Sequence, residues 1–272
     1  MITKRQLTTI FYYVVGFCIF IFLTLRLPVS YLAFNEKLYE HLFLQQKVLF
    51  VTAHPDDEVV FFGPTINSLR RIVGAENIFL LAMTNGNYEG KGRTREKEIV
   101  EGFKVLGLNS GHIHFYKHEA PLVDHPDIHL PFKELAVGIE EHVKKLNINT
   151  IITFDDMGVS GHLNHGDIYR AISRHWPSNE APDALILKSV NYFRKHFSIF
   201  DLPISFFLDA LFNGDLVFIS GHKDVEKTKK SLYVHKSQYT TFHNVLHHFS
   251  DRFLFINSLR KYEIPLANPG KS

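Results

Sequence analysis

The sequence contains a short apolar run, KVLFVTA at 47–53, that leads directly into the acidic stretch HPDDE at 54–58. Continuous apolar character over a few partly β-branched residues is typical of a parallel strand buried on both faces. The acidic stretch follows where this strand ends, and α/β folds place their ligands at the carboxyl ends of parallel strands. This junction therefore predicts an α/β fold with a reactive site after its first strand.

The same succession of apolar strand and polar loop recurs further along the chain. Residues 77–84 and 149–154 are predicted strands, and polar loops at 85–92 and 155–166 follow them. Strands that alternate with helices predict a mostly parallel, Rossmann-like sheet with helices on both faces. Further predicted strands lie at 112–116, 185–192 and 215–220, and predicted helices lie at 58–71, 93–106, 132–146 and 224–235.

The N-terminal region has a different character. No charged residue occurs from Leu7 to Leu25, and Lys4, Arg5 and Arg26 flank this run. As a helix it would be about 28 Å long, close to the hydrocarbon thickness of a bilayer. A cleaved signal peptide or a buried helix is the alternative, but no small-residue cleavage site follows closely. We expect residues 1–46 to form a transmembrane anchor, with its helix at about 7–25, and a linker, and residues 47–272 to form the α/β domain.

Composition excludes some classes of protein. The chain has 272 residues, with 30 Lys plus Arg against 28 Asp plus Glu, so its net charge is only +2. Without a basic stripe or tail, we expect no nucleic-acid partner. Cys18 is the single cysteine, so no intrachain disulfide can form, and no Asn-x-Ser/Thr sequon occurs. Both observations fit a domain that faces the cytosol.

Two motifs are candidates for chemistry. Adjacent acids beside a histidine at 54–58 repel one another unless a cation neutralises them, although acids also favour a solvated helix N-terminus. The second motif, GVSGHLNH at 158–165, carries two histidines three residues apart, a pair that is common on polar surfaces. Together the motifs offer two histidines and a carboxylate, as expected of an open catalytic zinc site. The same ligands also suit iron(II), so the residues alone leave the metal open.

These motifs belong to a wider pattern. From His54 to about Leu266 the chain resembles the PIG-L branch of the LmbE-like superfamily, the N-acetylglucosaminyl-phosphatidylinositol de-N-acetylases. The resemblance rests on AHPDDE at 53–58, FFGPT at 61–65, GNYEGKGRTREKE at 86–98, FDDMGVSGHLNH at 154–165, DLPISFF at 201–207, VHKSQ at 234–238 and INSL at 256–259.

The resemblance implies a role for each residue of the two motifs. His54, Asp57 and His165 are the expected zinc ligands, with another divalent metal as the alternative. Asp56 is the expected general base on the attacking water. His162 is expected either to stabilise the oxyanion or to protonate the leaving amine. Because Asp56 and Asp57 are adjacent, these separate roles require their carboxylates to diverge.

Two further residues are implied to bind the substrate. Arg95 is expected to hydrogen-bond sugar hydroxyls, and the alternative is a surface ion pair with Glu98. Asp124 lies where relatives have Asp-Asp-Pro, but this chain has Asp-His-Pro at 124–126, a departure from the family pattern.

The implied function is removal of the N-acetyl group from N-acetylglucosaminyl-phosphatidylinositol, the second step of glycosylphosphatidylinositol anchor synthesis. The expected partners are this glycolipid and the bilayer, and the expected location is the endoplasmic reticulum membrane. Two basic residues, Lys4 and Arg5, precede the uncharged run and one, Arg26, follows it. Because the more basic side of an anchor tends to face the cytosol, this difference favours a lumenal domain. The resemblance, the single Cys18 and the missing sequons favour a cytosolic domain. The alternatives are a deacetylase of a soluble aminosugar conjugate, a Mg²⁺ phosphoesterase and a catalytically silent scaffold subunit.

Two other groups of residues have competing interpretations. His112 and His114 are expected to be surface or core residues rather than ligands. His243, His247 and His248, with nearby phenylalanines including Phe253 and Phe255, are expected to form an interfacial helix face, and a second metal site or a packing face is the alternative. The apolar stretch 204–212 is too short to span a bilayer.

Overall fold

Seven strands form one mixed sheet in a computed structural model that describes residues 4–22, 24, 30, 37–116, 122, 124–238 and 252–266. The strand order is β3-β2-β1-β4-β5-β7-β6. The strands are β1 (Val48–Thr52), β2 (Ile78–Ala82), β3 (Ile113–Phe115), β4 (Thr150–Phe154), β5 (Asp183–Leu187), β6 (Leu216–Ile219) and β7 (Ile256–Tyr262). β1 to β5 are parallel, and β7 is antiparallel to both neighbours.

Helices precede, connect and follow the strands. They are α1 (Lys4–Ile21), α2 (Asp57–Val60), α3 (Gly63–Val73), α4 (Gly92–Val105), α5 (Phe132–Leu146), α6 (Gly158–Gly161), α7 (Leu163–Arg174), α8 (Tyr192–His196), α9 (Leu202–Ile204) and α10 (His222–Leu232). A π-helix, Ser205–Phe212, continues α9, and 3-10 turns lie at Ala75–Asn77, Ser110–His112, Ser198–Asp201 and Arg252–Leu254. Residues 37–43 are also helical. The prediction of a mostly parallel sheet wrapped by helices is confirmed.

Three local predictions need correction. The helix predicted after the acidic stretch is divided into α2 and α3, and Pro64 lies in the first turn of α3, where its missing N–H needs no partner. The strand predicted at 185–192 is wrong at its end, because β5 stops at Leu187 and Tyr192 begins α8. β7 was not predicted as a strand, although it is the inserted antiparallel strand that joins β5 to β6.

The sheet core fixes where the two motifs lie. All residues of β1, β2 and β4 are buried. β1 and β4 are neighbours, with Val48 opposite Thr150 and Phe50 opposite Ile152. Phe154 contacts the rings of Phe61 and Phe62 at centroid distances of 5.5 and 5.1 Å. The loops after β1 and β4 therefore leave the same edge of the sheet, side by side.

At the N-terminus, every described side chain of α1 is exposed. In the described part of the chain, no helix is long and apolar enough to cross a membrane. The predicted transmembrane helix at about 7–25 therefore stays a prediction. At the other end, His243, His247 and His248 lie outside the described residues, whereas Phe253 is fully buried and packs in the core.

A buried ionic hub joins the segment after β5 to β7. Its arginines are Arg194 and Arg252, its acids are Asp201 and Asp209, and Ser205 and Ser258 complete it. Arg252 donates to Asp201, to the hydroxyls of Ser205 and Ser258 at 2.8 and 2.7 Å, and to Asp209 at 3.4 Å. Arg194 donates to Asp201 and Asp209, both at 2.8 Å. The hub is thus a paired, hydrogen-bonded charge cluster.

We expect Arg252→Met to destabilise the fold by roughly 3–5 kcal/mol, because Asp201 and Asp209 lose a partner for buried charge. Urea unfolding of the full chain in detergent, followed by circular dichroism, measures this free energy. Lys104→Met is the control, since Lys104 forms an exposed pair with Glu101 that contributes at most about 1 kcal/mol. Equal unfolding midpoints for the two variants would contradict the prediction.

Candidate active site

Three histidines from the two motifs converge at the carboxyl edge of β1 and β4. The potential ligand atoms of His54, His162 and His165 all lie within 4.8 Å of one another. The ring of His54 is 4.8 Å from that of His162 and 5.4 Å from that of His165, measured between centroids. His162 lies just before α7, in extended backbone, whereas His165 is in the first turn of this helix. The two loops, far apart in the sequence, thus build a single cluster.

Asp57 lies against this cluster. Its Oδ1 is 3.2 Å from Nε2 of His165, and its Oδ2 is 3.7 Å from Nδ1 of His54. The backbone N–H groups of Ala53 and His54 donate to Oδ2 at 3.0 and 2.9 Å. Burial raises the pKa of Asp57, but the charges of His165 and His54 and their hydrogen bonds outweigh it and hold the pKa well below its ordinary value. Asp57 is therefore a fixed, ionised carboxylate.

A close backbone approach orients His165. Its Nδ1 is 3.0 Å from the carbonyl oxygen of Gly158, so an Nδ1–H donates to this carbonyl and Nε2 faces Asp57 and the cluster. Gly158 has φ +60, and a Cβ at this position would lie 2.7 Å from Cβ of His165. Only glycine satisfies both conditions. The glycine that the motif contains is thus required by the position of His165.

The residues present fit a divalent metal. Two imidazoles and a carboxylate in one buried cluster form the ligand chemistry of catalytic zinc sites. In addition, Nδ1 of His162 is buried and has no hydrogen-bond partner. The expected ligand set of His54, Asp57 and His165 stays a prediction, and the structure adds His162 as a neighbour of the same centre.

Asp56 and Asp57 point in different directions, as their expected roles require. Asp56 has a left-handed backbone, with φ 113 and ψ −24, a strained conformation for a residue other than glycine. The backbone N–H of Asp56 donates to Glu58 at 3.0 Å, and the Arg95 guanidinium donates to Oδ1 at 3.2 Å. Burial and the charge of Asp57 together raise the pKa of Asp56 to about 6, against the lowering effect of Arg95. A carboxylate with such a pKa suits a general base at neutral pH.

Arg95 is not a surface residue. It is buried, and it also donates to the carbonyl oxygens of Pro55 at 2.7 Å and Gly86 at 3.2 Å. Glu98 instead accepts from the N–H and hydroxyl of Ser237 at 2.8 and 2.6 Å. The alternative of a surface ion pair between Arg95 and Glu98 is therefore wrong. A role for Arg95 in binding sugar stays a prediction, and its observed contacts brace Asp56.

We expect Arg95→Gln to move the acid limb of kcat/KM to higher pH. Arg95 lowers the pKa of Asp56, so removing its charge raises that pKa and leaves less carboxylate to act as base at any given pH. The pH profile of acetate release by wild type and variant measures the shift. Arg95→Lys, which keeps the charge, should keep the limb near its original position. A limb that moves to lower pH in Arg95→Gln would contradict the role assigned to Arg95.

Asp124 also lies at the site, with a specific partner. Its Oδ1 is 3.0 Å from Nε2 of His54, and Asn164 donates to the same oxygen at 3.4 Å. Burial raises the pKa of Asp124, but the hydrogen bond and charge of His54 outweigh it, so the pKa lies below its ordinary value. A proton on Nε2 of His54 leaves Nδ1 available to a metal, the usual orientation of a ligating histidine. Asp124 therefore orients His54, and its predicted contact with substrate stays a prediction.

Sequence reasoning missed two residues behind the site. Glu58 and His235 form a fully buried pair, with Oε1 and Nε2 3.0 Å apart, and Glu58 accepts the Asp56 N–H through its other oxygen. Burial lowers the pKa of His235, but the charge of Glu58 outweighs it and the pKa lies above its ordinary value. Glu58 belongs to the motif HPDDE and His235 to the motif VHKSQ. The sequence therefore shows both residues but gives no signal that they pair.

The fold and the site define a class of protein: an α/β domain with a histidine and carboxylate cluster suited to metal-assisted hydrolysis at the carboxyl edge of its sheet. The family described as PIG-L, GlcNAc-PI de-N-acetylase, matches residues 49–176. N-acetylglucosaminyl-phosphatidylinositol de-N-acetylase of Bos taurus is 34% identical over 216 residues, which cover 78% of this chain and 82% of that protein. The chain belongs to the PIG-L family of N-acetylglucosaminyl-phosphatidylinositol de-N-acetylases.

A second relative agrees with this assignment, and a solved structure resembles the fold. The probable N-acetylglucosaminyl-phosphatidylinositol de-N-acetylase of Schizosaccharomyces pombe is 32% identical over 199 residues, covering 72% of this chain and 79% of the relative. N,N'-diacetylchitobiose deacetylase of Pyrococcus horikoshii has a TM-score of 0.53 and 18% identity, covering 85% of this chain and 91% of that one. At that identity the solved structure supports the fold alone.

Proposed function

We propose that the chain is a zinc-dependent hydrolase that removes the N-acetyl group from N-acetylglucosaminyl-phosphatidylinositol, the second step of glycosylphosphatidylinositol anchor synthesis. The observation that carries the proposal is the single cluster of the buried residues His54, Asp57 and His165 with the partly exposed His162, and with Asp56 beside it. Family membership supports the substrate, since relatives named for this reaction match most of the chain. His54, Asp57 and His165 would hold the metal.

Zinc bound by such residues supplies a Lewis acid that polarises the acetamide carbonyl and lowers the pKa of water. The chain's own residues supply the proton transfers. Asp56, as the carboxylate, takes a proton from the attacking water while the water oxygen forms its bond to the carbonyl carbon. The protonated Asp56 then gives this proton to the amine nitrogen as the C–N bond breaks, and the free amine leaves with acetic acid, which releases its remaining proton to water and becomes acetate. One carboxyl group thus serves as base and then as acid.

His162 is assigned the oxyanion role. Burial, together with the charges of the neighbouring His54 and His165, lowers the pKa of His162 to about 4 against the opposing effect of Asp57 and Asp124. At neutral pH the ring is therefore uncharged before the reaction and has no spare proton to give away. A neutral imidazole donates one N–H, and this donor stabilises negative charge on the carbonyl oxygen as it develops. Between the two predicted roles of His162, the low pKa favours this one.

We further propose a single-pass protein of the endoplasmic reticulum membrane whose catalytic domain faces the cytosol. The uncharged run from Leu7 to Leu25 supports the anchor. An anchor confines the enzyme and its lipid-linked substrate to one surface and so raises their effective concentration. The single cysteine and the absence of sequons support the cytosolic orientation.

Glu89→Thr tests the orientation, because it completes a sequon at Asn87 in an exposed loop. We expect no glycosylation of this variant in cells, since glycosylation takes place in the lumen. Mobility on a gel before and after endoglycosidase treatment is the measurement. A glycosylated variant would place the catalytic domain in the lumen.

Acetate release by the purified full chain tests the reaction itself. The chain is chelated, then given Zn²⁺, another divalent ion or no metal, and offered either lipid-linked N-acetylglucosaminyl-phosphatidylinositol or a water-soluble N-acetylglucosamine conjugate. We expect release from the lipid-linked substrate that disappears on chelation and returns with Zn²⁺. Release from the soluble conjugate alone would identify a soluble-aminosugar deacetylase. No release from either substrate under any metal would overturn the enzymatic proposal.

A further inference from the structure

The segment from Tyr192 to Phe212 has polar side chains inside and apolar side chains outside, the reverse of a surface segment in a water-soluble domain. Asp201 and Ser205 are 0% exposed and Asp209 is 1% exposed. Phe193, by contrast, is 73% exposed. The large exposed side chains of this segment, termed the apolar patch, are Tyr192, Phe193, Phe197, Ile199, Phe200, Leu208, Leu211 and Phe212.

The buried ionic hub holds the apolar patch together. Arg194 in α8 donates to Asp201 and Asp209 and, at 3.1 Å, to Ser205, so α8 and the π-helix are fixed to each other by one guanidinium. Ser205 and Asp209, four residues apart in the π-helix, both belong to the hub. The outward side chains of the patch are therefore presented by a rigid base rather than by a loose loop.

Charge indicates what covers the patch. The only acids between residues 192 and 212 are Asp201 and Asp209, and both are buried in ion pairs with arginine. The remaining ionisable side chains of the segment, Lys195 and His196, are basic and partly exposed. Aromatic side chains beside basic ones, without exposed acids, suit the interface of an anionic bilayer.

The patch also lies beside the point where the N-terminal region enters the domain. A cavity of about 470 Å³ separates helical residues 37–43 from the π-helix, and its lining includes Leu38, Leu42, Phe206 and Leu211. Tyr39 accepts a hydrogen bond from the Val217 N–H at 2.9 Å, which attaches residues 37–43 to β6. Residues 37–43 thus lie on the same side of the domain as the patch.

Contacts also join the patch to the active site. Arg252 of the hub precedes Phe253, whose ring lies 5.9 Å from Phe61, and Phe61 lies 5.4 Å from His165. Ser189, a few residues before α8, donates to Asp155 and accepts from the Val159 N–H in the loop that carries His162 and His165. A surface that docks here therefore fixes the position of the site relative to that surface.

We propose that the apolar patch is a second membrane-contact surface, which enters the headgroup and upper acyl region of an anionic bilayer and holds the active site at the level of lipid headgroups. The inference rests on the proposed function for its second part, since a sugar on phosphatidylinositol lies at that level. Its first part, contact with lipid, stands independently of the reaction.

Tryptophan quenching in vesicles of phosphatidylcholine and phosphatidylinositol tests contact with lipid in the full chain. Phe200→Trp places a probe in the patch, and Val137→Trp places one on the exposed side of α5. The native Trp176 is buried and gives a constant background. We expect acyl-brominated lipid to quench about half of the fluorescence of the tryptophan introduced at position 200 and little of that at position 137. Acrylamide, which stays in water, should quench the tryptophan at position 137 more strongly than that at position 200. Strong acrylamide quenching at both positions would overturn the proposal. Protection of position 200 from both quenchers would also overturn it, because a second protein copy would then cover the patch.

Activity separates failure of this inference from failure of the proposed function. The double variant Phe200→Ser, Phe212→Ser should turn over lipid-linked substrate in vesicles about tenfold more slowly, because the active site is no longer held at the level of the lipid headgroups. Turnover of a short-chain, water-soluble analogue should stay unchanged, as it should for the control Val137→Ser with either substrate. An equal loss of turnover with both substrates would indicate damage to the fold and would overturn the proposal that the patch positions the site at the membrane. Lipid quenching at position 200 in a chain without deacetylase activity would contradict the proposed function and support membrane contact by the patch.

Discussion

Asp56→Asn should lower kcat for acetate release by roughly 10²–10⁴-fold while metal content and KM stay close to wild type. The amide cannot accept the proton of the attacking water, so the step that Asp56 performs loses its base. Asparagine tolerates left-handed backbone at least as well as aspartate, so the turn with φ 113 at this position is kept. Steady-state rates together with metal analysis of the purified variant measure both quantities.

The matched control is Asp127→Asn, since Asp127 is exposed on the loop after Asp124. It should stay within about twofold of wild type, as surface substitutions usually do. If Asp56→Asn retained full activity, Asp56 would not be the base. If anchor synthesis in cells were also intact with Asp56→Asn, the catalytically silent scaffold would be the better interpretation.

His165→Ala should remove both the bound metal and the activity. Nε2 of His165 lies 3.2 Å from Asp57 and near the other histidines, so the substitution deletes a predicted ligand and removes the imidazole closest to the Asp57 charge. We expect metal content to fall by about tenfold or more at a fixed free metal concentration, since even orienting residues around a metal contribute 10–100-fold to affinity. Elemental analysis after dialysis against buffered Zn²⁺ gives the content.

His222→Ala is the control for this substitution, because His222 is 85% exposed in its side chain and lies outside the site. Its metal content and rate should equal those of wild type. Full metal occupancy in His165→Ala would remove this histidine from the ligand set. Lost activity with metal retained would assign His165 a role in binding substrate or in orienting Asp57.

Much of the fold follows from local sequence. Short apolar runs predict β1, β2 and β4, because strands buried on both faces need apolar residues on both. The helix at 132–146 was predicted with the bounds of α5, since its apolar positions recur with helical spacing. β7 escaped prediction because Ile256–Tyr262 ends in charged and polar residues, and its place between β5 and β6 depends on pairing with distant strands.

The motifs alone determined which residues were candidates for the site, and only the tertiary structure decided how they meet. His54 and His165 form one cluster because β1 pairs with β4, and strand order depends on long-range packing that no local pattern encodes. The same holds for Arg95, for which the sequence left a sugar contact and a surface ion pair as alternatives and whose guanidinium contacts Asp56, and for the Glu58–His235 pair. The sequence shows that residues 204–212 are mostly apolar, but it does not show which way these side chains face. The hub decides this, because Arg194 and Arg252 hold the polar side chains inside and the apolar ones therefore face outward.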